Sequence, residues 1–208
     1  MPDVAVELVW SGRGLFVRGA DTRRHDVGAF PEQTFVVARF RPGAAADVLG
    51  LRGRALADAR VGISELWGRR EMERLEDALA AAGTPRAAAD VLELAVLSRV
   101  RAEPDRAVET IVENVFDGAT NVPVATLAAK LGFSERQLLR RCTDALGYGP
   151  KTLQRIVRFQ RFRSLAARRP ELRLAALAAA VGYSDQAHLT RECVRLAGRT
   201  PSALTARG

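Results

Sequence analysis

The chain has 208 residues and a formal net charge of +8, with 32 lysines and arginines against 24 acidic residues. Two cysteines do not suggest a disulfide scaffold, the two histidines and two cysteines lack the spacing of a zinc site, and no catalytic motif occurs. No apolar run approaches the roughly 18 residues of a membrane helix, and no signal segment opens the chain. We therefore expect a cytoplasmic protein that is not an enzyme, with no cofactor and no membrane partner.

The N-terminal half begins with short predicted strands. Apolar alternation predicts strands at residues 4–10, 15–17 and 34–40, with a hairpin turn at residues 11–14. Three strands cannot close a barrel, so we expect a small incomplete β-barrel or sheet with an open edge. His25 is expected in an exposed loop.

From Ala44 the apolar period becomes helical. The predicted helices cover about residues 44–50, 70–82, 86–102 and 105–117. Residues 118–122 are the predicted linker. The expected fold class is therefore α+β and mainly helical. An N-terminal region, residues 1–117, holds the strands (about 4–42) and a helical segment, and a C-terminal domain covers residues 118–208.

The C-terminal domain carries one pattern twice. Residues 127–134 recur at 177–184, an offset of 50, whereas Leu138 recurs as Leu189, an offset of 51. Each copy predicts a short helix that ends at a glycine, then a second helix capped by Ser134 or Ser184. Two helices joined by a tight turn form a helix-turn-helix, here at about residues 122–147 and 172–198. An α-hairpin repeat without DNA binding produces the same pattern.

Charge favours the DNA-binding interpretation. Residues 1–104 hold 15 arginines against 15 acids, whereas residues 118–208 hold 16 basic residues against 5 acids. An arginine-rich composition alone does not explain this asymmetry. A one-sided basic excess is typical of a nucleic-acid-binding domain and predicts salt-sensitive affinity.

A long helix is predicted between the two units. Pro150 suits its start and Pro170 follows its end, and an apolar strip runs along it. A helix of about 15 to 18 residues spans roughly 22–27 Å. The second helix of each unit is the recognition helix, which would enter the major groove. The two recognition helices are then expected near one DNA turn apart, about 34 Å.

Residues 118–204 resemble the DNA-binding domain of the AraC/XylS family of transcription regulators, in which a long helix joins two helix-turn-helix units. The resemblance rests on Gly132-Phe133-Ser134 and Gly182-Tyr183-Ser184, on an arginine two residues after each buried leucine, and on Pro150 and Pro201. Cys142 and Cys193 stand where the family usually has phenylalanine. The resemblance implies double-stranded DNA as the partner, a role as activator, and contact with RNA polymerase.

The resemblance also implies which residues contact DNA. In the first recognition helix the matching positions are Arg136, Leu139 and Arg140. In the second they are Gln186, Ala187, His188, Thr190 and Arg191. Arginine suits guanine and glutamine suits adenine, whereas leucine and alanine make apolar contacts only. The further candidates are Ser134, Gln137, Lys151 and Ser184. At Arg141, Arg158 and Arg163 we expect solvated side chains or phosphate contacts.

The N-terminal half resembles the sensor domain of some actinobacterial AraC-type proteins, in which a cupin-like β-barrel precedes a helical segment. The matching segments are residues 7–10, 39–43 and 66–68. The resemblance implies a small-molecule effector. The upstream strands of that barrel are absent from this sequence. We therefore expect a shortened sheet, with either a homodimer through the N-terminal half or a mis-assigned start as the explanation.

Two alternative functions stay open. Cys142 and Cys193 are candidates for a thiol-redox-responsive regulator, although both lie on predicted apolar helix faces, where cysteine is usually inert. Some DNA-repair methyl acceptor enzymes carry the same DNA-binding module. That chemistry requires an activated cysteine in the N-terminal half, and this half contains none.

Overall fold

The computed structural model describes residues 2–23, 35–51, 53–101, 103 and 105–206. In these residues a small antiparallel sheet comes first and α-helices form most of the rest. The predicted α+β, mainly helical fold class is confirmed. The expectations for His25 and for the start of the third strand at Thr34 lie outside the described residues.

The sheet contains four strands in the order β3-β1-β2-β4, and all neighbours are antiparallel. The strands are β1 (Glu7–Trp10), β2 (Leu15–Arg18), β3 (Val36–Arg39) and β4 (Arg60–Gly62). The predicted hairpin joins β1 to β2, and Ser11 N donates to Gly14 O at its turn. β3 and β4 therefore form the two edges of the described sheet.

The prediction of three strands is wrong, because β4 was missed. β4 has three residues, and its Val61 lies opposite Val17 of β2. A strand of this length contains too little alternation to be recognised from sequence. It forms because β2 offers an edge with which it can pair.

Among the described residues, five α-helices precede residue 118. They are α1 (Ala45–Leu49), α2 (Ile63–Trp67), α3 (Arg69–Ala81), α4 (Pro85–Leu97) and α5 (Arg106–Phe116), with a 3₁₀ turn at Gly53–Ala55. α2 was not predicted. The helix predicted at 86–102 ends early, at Leu97, because Arg99 and Val100 form tighter turns with the carbonyls of Val96 and Leu97.

Six helices follow residue 118 in the part of the chain that ends at residue 206. They are α6 (Val124–Lys130), α7 (Glu135–Leu146), α8 (Pro150–Arg168), α9 (Leu174–Ala180), α10 (Gln186–Ala197) and α11 (Pro201–Thr205). α6 with α7, and α9 with α10, are the two helix-turn-helix units. The 19 residues of α8 span about 28 Å, and Pro150 lies in its first turn as predicted.

Buried apolar side chains form two clusters that separate within α8. The first cluster includes residues from Val4 to Val157 and so combines the sheet, the N-terminal helices and the first helix-turn-helix unit. The second cluster includes residues from Phe159 to Ala197 and forms the core of the second unit. The division of the chain at residue 118 stays a prediction, but the first cluster has members on both sides of it.

The C-terminal end of α7 packs closely on the N-terminal region. Gly147 ends α7 at a φ of +85°, and a Cβ at this position would lie 2.7 Å from Ala57 N and 2.9 Å from Gly53 O. Earlier in α7, Arg141 forms an ion pair with Asp105, the N-cap of α5. These contacts fix α7 on the N-terminal region.

Candidate nucleic-acid interface

The first unit has the turn geometry that its sequence predicts. Gly132 has a φ of +72°, which lets the chain leave α6 sharply. Ser134 Oγ accepts a hydrogen bond from Gln137 N at 3.3 Å, and Gln137 Oε1 accepts from Ser134 N at 2.8 Å. The predicted capping box at the start of α7 is confirmed.

The second unit differs from the prediction at its cap. Asp185, not Ser184, is the N-cap of α10, and its Oδ1 accepts from His188 N at 2.6 Å. Ser184 Oγ donates to Asp185 Oδ2 at 3.0 Å. These two hydrogen bonds, the one from His188 N first, lower the pKa of the Asp185 carboxyl. The extra residue of the second copy thus supplies the cap, which explains why the repeat offset rises from 50 to 51.

The two serines of the repeat are therefore expected to respond differently to mutation. Ser134→Ala removes the cap of α7 and should lower the free energy of unfolding by about 1 kcal/mol. Ser184→Ala leaves the Asp185 cap in place and should cost clearly less. Chemical denaturation of both variants checks this. Equal losses would contradict the assignment of Asp185 as the cap.

The inner faces of α7 and α10 are apolar and match each other. Leu138 and Cys142 of α7, and Leu189 and Cys193 of α10, are fully buried. Burial raises the pKa of both thiols to about 12. Both cysteines therefore stay protonated at neutral pH and serve as small packing residues.

The outer face of α7 is polar and open. Ser134, Arg136, Gln137, Leu139 and Arg140, all expected to contact DNA, are exposed. They line a shallow groove of about 610 Å³ together with two further residues of α7, Thr143 and Asp144. The first unit thus gathers its expected residues on one accessible surface.

The outer face of α10 is less uniform. Gln186, Ala187 and Arg191 are exposed, whereas His188 and Thr190 are half-buried. The His188 ring packs edge-on against Tyr183 at a centroid distance of 5.1 Å, and its Nδ1 lies 3.1 Å from Ser184 Oγ. The Thr190 hydroxyl donates to Gln186 O at 2.9 Å. The contacts with Tyr183 and Ser184 hold the His188 ring against the turn between α9 and α10.

Four basic residues expected to contact DNA are free of ion pairs. Within the part of the chain that the structure describes, Arg136, Arg140, Lys151 and Arg191 are exposed and form no salt bridge. Unpaired basic groups on an exposed surface suit phosphate or guanine contacts, because no internal partner must be given up.

Two neighbouring arginines have internal roles instead. Arg158 is only 8% exposed and donates to Thr120 O, so the expectation of a solvated or phosphate-binding side chain is wrong there. Arg141 pairs with Asp105, and its guanidinium lies 5.1 Å from the centroid of the Phe133 ring. Arg163 is exposed, as expected.

Sequence reasoning also missed part of the exposed surface. Val194 and Arg195 of α10 are exposed one turn beyond Thr190 and Arg191, and Thr143 lines the groove one turn beyond Arg140. The signal was their spacing, since residues three or four apart share a helix face. Each candidate surface therefore extends one turn farther along its helix.

Among the described residues, no three His, Cys, Asp or Glu side chains come together as a metal-binding group. None of the helices in the described ranges is both long and apolar enough to cross a membrane.

Comparison with known proteins agrees with this geometry. Residues 127–207 match the model of a family described as a helix-turn-helix domain, and the match runs from the C-terminal part of α6 through α11. No curated protein matches the chain. The match, of the AraC type, supports the resemblance found in the sequence. The match therefore supports a DNA-binding transcription regulator.

Proposed function

We propose that the protein regulates transcription by inserting α7 and α10 into successive major-groove segments of promoter DNA. The observation that carries the proposal is the pair Arg140 and Arg191. They occupy equivalent positions of the two recognition helices, two residues after the buried leucine, and both are exposed without an ion pair in the described structure. The adjacent residues, Arg141 and Glu192, are instead held in internal ion pairs.

The exposed side chains suggest a division of roles. Arg136, Arg140 and Arg191 suit guanine, Gln186 suits adenine, and Leu139 and Ala187 suit the thymine methyl group. The remaining candidates suit phosphates or the DNA backbone and fix the position of each helix; they are Ser134, Gln137, Lys151, Ser184, His188 and Thr190.

Regulation extends the same proposal. Contact with RNA polymerase, a small-molecule effector at a cupin-like sheet, and a homodimer through the N-terminal half would make the protein an activator under ligand control. The homodimer is supported by β3, which is an edge strand of the described sheet. Val37 of β3 is exposed, and so is Phe35, which precedes the strand.

The two alternatives receive less support. A thiol-redox regulator needs an accessible thiolate, whereas Cys142 and Cys193 are buried with raised pKa values. A methyl acceptor needs an activated cysteine outside the DNA-binding module, and both cysteines of the chain lie inside it. DNA binding without covalent chemistry is the function that these residues favour.

Selection of binding sites from a random DNA library, followed by affinity measurements at fixed salt, tests the proposal. Arg140→Ala and Arg191→Ala should each weaken binding to the selected duplex by about 10- to 100-fold, which corresponds to about 1–3 kcal/mol. Arg86→Ala is the matched control, because Arg86 is exposed on α4, outside both units. Binding of both α7 and α10 variants at the wild-type affinity would refute the assignment.

A further inference from the structure

The segment that leads into the first unit is held by side chains of α8. Gln154 is buried, and its Nε2 donates to Ala119 O at 2.7 Å and to Val122 O at 2.8 Å. One turn later, Arg158 donates to Thr120 O. Backbone carbonyls that are wholly or partly shielded from water need such partners. Two α8 side chains thus fix three carbonyls of a segment that the sequence predicts to be a linker.

The same segment contacts the turn of the second unit. A Cβ added to Gly182 would overlap the side-chain amide of Asn121, so the two residues lie in direct contact. Arg158 reaches this turn as well, because its guanidinium lies 5.4 Å from the centroid of the Tyr183 ring. Residues 119–122 are therefore placed between α8 and the turn that precedes the second recognition helix.

A third contact connects α8 to the second recognition helix itself. Arg155 Nε lies 2.7 Å from Glu192 Oε2, and Arg155 Nη2 lies 3.1 Å from Glu192 Oε1. The two side chains are only 15% and 12% exposed. This bidentate geometry is directional and fixes the rotation of α10 about α8.

These residues form what we term the polar joint: Asn121, Gln154, Arg155, Arg158 and Glu192. The polar joint lies where the two apolar clusters separate, between Val157 and Phe159. Apolar contacts are non-directional, whereas charged and amide hydrogen bonds specify one geometry. The orientation of the second unit relative to the first therefore depends on the polar joint.

We propose that the polar joint sets the spacing of the two DNA half-sites by fixing the orientation of α7 relative to α10. This inference rests on the proposed function of the two recognition helices. Two linked binding modules gain affinity from each other only when both can engage at once. With a rigid joint, the gain is confined to DNA in which the half-sites match the fixed spacing. Arg158 and Asn121 are then positioning residues that determine specificity without touching DNA.

A distance measurement without DNA tests the rigidity directly. Spin labels on Glu135→Cys and Val194→Cys report the separation of α7 and α10, and the buried native cysteines stay unlabelled. We expect one narrow distance distribution in this labelled protein and a broader one after Arg158→Met or Asn121→Ala. The control is Arg161→Met, an exposed position of α8.

If Arg158→Met fails to fold, Asn121→Ala decides the result, because it removes only a surface amide contact. If these variants give distance distributions as narrow as that of the labelled protein without the added substitution, the inference is overturned.

A DNA measurement then tests spacing. The probe is the duplex selected with the wild-type protein, with one or two base pairs inserted between the segments that the two units protect. The wild type should lose on the order of 100-fold in affinity on insertion, and Arg158→Met less than about 10-fold. Equal losses in both proteins would overturn the role of the polar joint but would leave the proposed function intact. Failure to select any DNA overturns the proposed function, whatever the label distances are.

Discussion

Replacing Gly147 by alanine is expected to lower the free energy of unfolding by about 3 kcal/mol. The φ of +85° at this position costs a residue with a Cβ about 1–2 kcal/mol. The added Cβ would also lie 2.7 Å from Ala57 N and 2.9 Å from Gly53 O. These are backbone atoms that cannot rotate away, so overpacking adds about 1–3 kcal/mol. Chemical denaturation measures the loss.

The repeat supplies the matched control for this substitution. Gly198 ends α10 as Gly147 ends α7, with a φ of +63°, but no atom lies within 4 Å of its added Cβ. Gly198→Ala should therefore lose only the conformational part, about 1 kcal/mol. Similar losses at both glycines would contradict the close docking of α7 on the N-terminal region.

The Phe162→Ala substitution is expected to cost about 3–5 kcal/mol, because the ring is fully buried in the second cluster. The ring also packs against Phe159 at a centroid distance of 6.5 Å, and this contact is lost as well. Because α7 belongs to the first cluster, the damage should concentrate in α9 and α10. Hydrogen exchange resolved by peptide, together with thermal unfolding, measures both effects.

The control for this experiment is Phe116→Ala at the C-terminal end of α5. Phe116 is 40% exposed, so its removal should cost about 1 kcal/mol or less. If the amides of α7 lose as much protection as those of α10 in Phe162→Ala, the two apolar clusters act as a single unit and the separation within α8 has no energetic meaning.

Local signals explain what the sequence predicted well. The bounds of α6, α7, α9 and α10 follow from apolar spacing and from glycines such as Gly132 and Gly182, which are properties of adjacent residues. The exposed positions of Arg136 and Arg140 follow in turn from the buried positions of Leu138 and Cys142 on the same helix. The N-cap of α10 also has a local signal, the uneven repeat offset, but the sequence prediction assigned the cap to Ser184 and not to Asp185.

Non-local contacts explain what could not be predicted. β4 forms because it pairs with the edge of β2, and no pattern within Arg60–Gly62 predicts this pairing. Arg158 lies in a segment rich in arginine, which is typical of a solvated face, yet its partner Thr120 lies 38 residues earlier. The docking of Gly147 on Ala57 joins residues 90 apart. Each depends on the assembled fold.

The shared core of the N-terminal region and the first unit has a consequence for chimeric regulators and for evolution. A junction at residue 118 cuts through the first apolar cluster, whereas a junction near Phe159 leaves both clusters whole. If the proposed function holds, grafting a foreign second unit there, with the polar joint retained, is expected to change the preference for one DNA half-site and to leave the preference for the other half-site unchanged. Sequence divergence is expected to follow the same division, because the first unit shares its core with the N-terminal region and the second unit has a core of its own.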